Sequence, residues 1–170
     1  GLHIVVPTSP ADAKGLLKTA IRDNNPVMFV EYLELYKMKG EVPEGDVTIP
    51  FGVANVCREG SDITLIGLGS QLSRCLAAAD MLAAEGISAE VMDPRTIRPL
   101  DTEGLAASVR KTGRCVVAEE GHKHGGVGAE IAASVQEVAF HSLKAPIGRV
   151  GALEVPIPVQ PKLEAYVLPN

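Results

Sequence analysis

The chain has 170 residues and a net charge of −5, from 16 Lys and Arg against 21 Asp and Glu, with 46% hydrophobic residues and no Trp. That length suits one α/β domain, or one domain with part of another, and buries roughly 70% of the unfolded surface without staples. The acidic balance excludes the basic stripe that nucleic-acid backbones demand, and no window approaches the about 18 apolar residues of a membrane-spanning helix. Cys57, Cys75 and Cys115 are odd in number and far apart, so they read as buried, reduced thiols of an intracellular protein. The start, Gly1-Leu2-His3-Ile4, lacks the form of a signal peptide and opens almost directly on a strand.

In chain order, Leu2 to Val6 reads as a short strand ended by Pro7. Ser9 as N-cap and Pro10 at the first helical position open a helix. Its apolar positions Ala13, Leu16, Leu17, Ala20 and Ile21 predict one buried face. Asn25-Pro26 stops it, and Val27 to Val30 follows as a buried strand, giving a parallel βαβ unit. Residues 37–50, with Gly40, Pro43, Gly45 and Pro50 and little periodicity, read as an interdomain linker.

A second α/β pattern then begins. Strands over Ala54–Cys57 and Ile63–Ile66 flank a turn, and a helix runs from about Gln71 to Glu85 with Gly86 as its cap. A strand over Ser88–Met92 leads into a loop, Asp93 to Leu100. Asp101 caps a helix that Gly113 ends. Then come a strand over Cys115–Ala118, a glycine-rich loop opening a helix to about Phe140, a short strand over Ile147–Val150, and an irregular tail with Pro156, Pro158 and Pro161. Strands alternating with helices mean a mostly parallel, doubly wound sheet.

Several constellations bear on chemistry. Gly67-Leu68-Gly69-Ser70 and Gly125-Gly126-Val127-Gly128 each precede a helix, where free N–H groups favour anions. Neither is a full dinucleotide or P-loop signature, and steric need for Gly in tight βα turns explains both. Glu119, Glu120, His122, Lys123 and His124 fall at a strand's C-terminal end, where open α/β sheets place ligands. The two His lack a companion at metal spacing and read as solvated. Arg95 and Arg98 read as ion-paired with Asp93 or Asp101. The last carbonyls of the first helix, around Ala20, Ile21, Asp23 and Asn25, form either an ordinary C-terminal cap or a seat for a hard cation.

Four stretches go further: Val6 to Val27, Gly40 to Gly45, Arg95-Thr96-Ile97-Arg98-Pro99-Leu100-Asp101 and Gly126-Val127-Gly128-Ala129-Glu130-Ile131. With Glu154-Val155-Pro156-Ile157-Pro158, they resemble the beta subunit of the decarboxylating component of 2-oxo acid dehydrogenases, pyruvate dehydrogenase above all. Branched-chain 2-oxo acid and acetoin dehydrogenase beta subunits look similar.

The resemblance implies that residues 1–36 end a transketolase-like pyrimidine-binding domain and that residues 51–170 form a transketolase C-terminal domain. It implies an enzyme that uses thiamine diphosphate and magnesium, with the activating Glu and catalytic His supplied from positions before Gly1. The cofactor's diphosphate would come with an alpha subunit. The implied partners are that alpha subunit, a second beta subunit and a lipoyl-bearing acyltransferase, in a bacterial cytoplasm or a mitochondrial matrix. It also implies a structural potassium ion at Ala20, Ile21, Asp23 and Asn25, and so favours the cation seat there. Two other readings stand beside it: a different enzyme of the superfamily, such as deoxyxylulose-phosphate synthase, and a free-standing Rossmann-like module for a phosphorylated ligand.

Overall fold

The computed structural model describes residues 1–169. Strand β1 (His3–Val5) leads into helix α1 (Pro10–Arg22), and β2 (Val27–Phe29) returns parallel to β1. Ser9 starts α1 as the sequence predicts: its Oγ accepts the Asp12 N–H at 3.1 Å, with Pro10 in the first turn, where no amide donor is needed. The predicted buried face is narrower than expected. Leu16 is fully buried, but Leu17 and Ile21 are 45% and 75% exposed. One side of α1 lies against residues 38–50, and the described residues leave the side carrying Leu17 and Ile21 open to solvent.

Residues 38–50 hold no regular element, yet they are tied along α1. The Ile49 N–H donates to Gly15 O, and Thr19 Oγ1 donates to Ile49 O at 2.7 Å. Lys18 and Arg22 both reach Asp46, whose carboxyl they pull down to about 2. A Cβ at Gly15 would lie 2.6 Å from Ile49, so glycine is what allows the segment to pass this close.

The main layer is a five-stranded sheet in the order β3 (Asn55–Arg58), β5 (Ala89–Asp93), β4 (Ile63–Gly67), β7 (Cys115–His122), β8 (Gly148–Ala152). All neighbours are parallel except β3, which runs antiparallel along β5 rather than beside β4, its successor in sequence. Every residue of β5 is buried, as expected of a strand covered on both faces. Because side chains alternate, Ile66, Met92 and Val117 meet α3 (Thr102–Thr112) and α4 (Val127–Ala139) on one face. Leu65, Val91 and Ala118 meet α2 (Gln71–Ala84) on the other. This is the doubly wound α/β architecture predicted.

Two elements depart from the expectation. Thr96–Arg98, read as loop, is a strand, β6, pairing antiparallel with β1 to give a three-stranded sheet β2-β1-β6. The tail contains α5 (Pro161–Val167), capped by Gln160 Oε1, which accepts the Leu163 N–H at 2.9 Å. Pro161 begins this helix rather than breaking it.

Polar side chains pin the layers where apolar ones cannot. Buried Thr64 of β4 shares hydrogen bonds with Ser108 at 2.7 Å and Thr112 at 2.8 Å, both on α3. Asp101 joins the start of α3 to the segment before β3 by capping the helix at the Gly104 N–H and accepting the Ala54 N–H.

Candidate functional site

The end of α1 is the first candidate. The last turn closes with the Asp23 N–H on Thr19 O. Among the described residues, no N–H reaches the carbonyls of Ala20 and Ile21 that follow. Asp23 Oδ1 accepts both the backbone N–H and the side-chain Nδ2 of Asn25, at 2.7 and 2.9 Å, which folds Asn25 back toward the helix end. Those two hydrogen bonds, with His3 3.6 Å away, hold the Asp23 carboxyl below its usual range. The structure thus places Ala20, Ile21, Asp23 and Asn25 in one turn at the negative end of the helix dipole.

The two glycine loops have steric explanations. A Cβ on Gly67 would lie 2.6 Å from the Cα of Leu72, and one on Gly69 would lie 2.2 Å from the Tyr32 ring. At Gly126 and Gly128 the space is taken by the buried Glu119 carboxylate, whose Oε1 accepts the Gly128 N–H at 3.1 Å. Glu119 therefore fills the anion position at the N-terminus of α4, and burial raises its carboxyl. A phosphate there would have to displace the Glu119 side chain.

His122 Nε2 contacts the Val155 carbonyl at 3.0 Å, and the His124 N–H donates to Glu154. Among the described residues no cluster of three His, Cys, Asp or Glu side chains is arranged to hold a metal. Burial pushes the thiols of Cys57 and Cys75 up to about 11 and Cys115 to about 12, so all three are protonated and unreactive near neutrality.

A polar cleft of about 570 Å³ separates the turn after β2 from α5, and Glu31, Glu34, Glu120 and Glu164 line it with Arg74. Tyr32 stands at its edge, its hydroxyl pKa raised by burial and by the charges of Glu120 and Glu119. Glu120 accepts the Ser70 hydroxyl at 2.5 Å.

Sequence reasoning missed one buried group altogether. Arg95 pairs with Asp12 at 2.8 Å, not through its guanidinium with Asp93 or Asp101, and Thr8 bridges toward Asp93. Thr8 and Asp93 are 85 positions apart, and no local pattern announces their meeting.

This doubly wound sheet, its two glycine-bearing βα turns and the antiparallel edge strand define a transketolase-type C-terminal domain. The family described as "Transketolase, C-terminal domain" matches residues 52–170. Over its full length the chain is 47% identical to the Acetoin:2,6-dichlorophenolindophenol oxidoreductase subunit beta of Bacillus subtilis (strain 168), covering 50% of that protein. It is 46% identical to the Pyruvate dehydrogenase E1 component subunit beta of the same organism, covering 52% of it. A solved structure titled "Split gene transketolase, inactive beta4 tetramer" superposes with a TM-score of 0.73 at 33% identity, over 97% of this chain and 52% of that one. The chain belongs to the family described as transketolase, C-terminal domain, and it spans about half the length of the curated relatives it matches.

Proposed function

We propose that the protein carrying this chain is the beta subunit of a thiamine-diphosphate-dependent 2-oxo acid dehydrogenase that oxidatively decarboxylates pyruvate and passes the acetyl group to a lipoyl carrier. The observation that carries this reading is the 46% identity to a pyruvate dehydrogenase beta subunit along all of these residues. Neither glycine-bearing loop is open to a phosphate group. Glu119 occupies the N-terminus of α4, and the Tyr32 ring covers Gly69. The contribution of residues 1–170 is scaffolding: they brace the βαβ unit of a pyrimidine-binding domain against the five-stranded sheet and offer surface to an alpha subunit, a second beta subunit and an acyltransferase.

The 47% identity to an acetoin-oxidising relative supports a second reading with acetoin as substrate. Assaying the whole beta subunit with its alpha partner on both compounds separates the two. Turnover of pyruvate well above acetoin is expected, and the reverse preference would replace the first reading by the second.

A potassium ion would sit at the end of α1, where among the described residues Ala20 and Ile21 offer carbonyls without N–H partners and the Asp23 carboxylate, held by Asn25, lies beside them. It would tie this turn down. Replacing choline by potassium at constant ionic strength should raise the melting temperature of the whole subunit by about 2–4 °C, as a gain near 1 kcal/mol does in domains of this size. An unchanged melting temperature would remove the ion from the proposal.

A further inference from the structure

The two sheets meet at a buried knot of charge. Thr8, Asp12 and Asp93 are each under 5% exposed, and Arg95 holds a left-handed backbone, φ 57°. That conformation is costly for a residue with a Cβ. Here it lets the Arg95 N–H reach Asp93 Oδ1 at 2.8 Å, while the Arg95 carbonyl accepts the Val6 N–H at 2.8 Å. The guanidinium lies 2.8 Å from Asp12 Oδ1, in ion contact though not aligned for a hydrogen bond, and its buried Nε has no hydrogen-bond partner among the described residues. Asp12 Oδ2 accepts the Ser9 hydroxyl at 2.6 Å.

Between the two carboxylates stands the single hydroxyl of Thr8, close to Asp93 Oδ2 and 3.4 Å from Asp12 Oδ2. A hydroxyl has one proton to give. With both carboxylates ionised, Thr8 can donate to only one of them and cannot bridge the two, and the group of two carboxylates and one guanidinium carries a net −1 out of water. If Asp93 takes a proton from solvent, its O–H donates to Thr8 Oγ1 and the Thr8 O–H turns to Asp12. Thr8 then links both carboxyl groups, and the group is neutral.

We propose that Thr8, Asp12, Asp93 and Arg95 form a proton-operated clasp between the β1–α1 unit and the end of β5, tight when Asp93 is protonated and looser when both carboxylates are ionised. The titratable and charged groups facing Asp93 are Asp12 from α1, Arg95 from its own loop and Cys57 from β3, whose thiol stays neutral. Burial, opposed by the Thr8 and Arg95 N–H hydrogen bonds, raises Asp93 to about 6, where a cell's pH can move it. The clasp is independent of the substrate and cofactor of the intact enzyme.

Hydrogen exchange of the Val6 and Arg95 amides in the full chain tests it. After correction for intrinsic rates, and with α4 amides as reference, protection at both should fall roughly tenfold or more between about pH 5 and about pH 8. Asp93→Asn keeps a donor toward Thr8 without a charge and should stay protected at both values. Thr8→Val cuts the relay and should abolish the pH response. Equal protection of the wild-type amides at both pH values, or an unaltered response in Thr8→Val, would overturn the clasp. The carboxyl carbon resonance of wild-type Asp93 decides the matter if the variants fail to fold: titration near 6 supports it, and titration in the ordinary aspartate range sinks it.

Discussion

The two sheets solve the burial problem differently. In the five-stranded sheet, β4 and β5 are covered on both faces, and Ile66, Leu105, Val109, Ile131 and Val135 are fully buried within one continuous core. In the three-stranded sheet, β2 has no fully buried residue, Met28 is half exposed, and α1 leaves Leu17 and Ile21 in solvent. The first layer closes on itself through apolar side chains. The second buries Val5, Val6 and Leu16 but adds to them β6, the Asp46 and Ile49 ties along α1, and the Thr8–Asp93 knot, so its order depends more on charge and backbone pairing.

The largest test of that contrast is a pair of truncations. Leu105→Ala should cost about 3–4 kcal/mol in denaturant unfolding, because it opens a cavity in a closed core. Leu17→Ala should stay within about 0.5 kcal/mol, since its side chain is already half in water. Similar losses at the two sites would erase the distinction. Next in size is Gly67→Ala, which drives a Cβ against the Leu72 backbone at the head of α2 and should cost about 2–3 kcal/mol. A stable Gly67→Ala variant would show that the turn is looser than the packing describes.

A smaller effect belongs to the Glu90–Lys111 pair on the flank of the core. Burial pushes the Glu90 carboxyl up, but hydrogen bonds from Lys111, Ser108 and the Gly60 N–H outweigh it and hold it below its ordinary value. That stability is present above the unfolded-state value of about 4.5 and is lost as pH falls through the folded one. Because Lys111 is 44% exposed, solvent screens the pair, and Lys111→Ala should cost only about 1 kcal/mol at neutral pH. The cost should shrink in acid; a pH-independent difference between the two proteins would count against the pair. Asp93 has the opposite sign: its raised carboxyl favours folding below about 3.8, and that contribution is lost as pH climbs through about 6. The smallest effect is expected at Asp46, whose bonds to Lys18 and Arg22 are exposed. Asp46→Ala should lower the melting temperature slightly at low salt and not at high salt, and a salt-independent loss would point to packing instead.

Much of the fold was legible because local chemistry and tertiary need agree. Ser9 and Pro10 start α1, Asp101 and the left-handed Gly113 bracket α3, and the apolar run of β4 marks a buried strand. The glycine loops were also readable, since the steric reason for Gly67 and Gly128 holds in the packed structure. The four residues at the end of α1 could be singled out because a helix always leaves its last carbonyls over.

Other features had no local signal. Thr96–Arg98 becomes a strand because β1 offers an open edge there, and the partner of Arg95 is Asp12 because β1–α1 is packed beside the end of β5. Burial of only part of the α1 face likewise depends on which neighbours are present. By itself the sequence determined the family, the type of most elements and the caps of α1 and α3, but not strand β6 or helix α5, since what was legible rests on contacts within a few residues or on motifs carried along the chain. Only the tertiary structure decided which distant carboxylates share a hydroxyl, which glycine loop is filled by Glu119, and which strand edge is taken, because those energies arise between groups that meet only when the chain is folded.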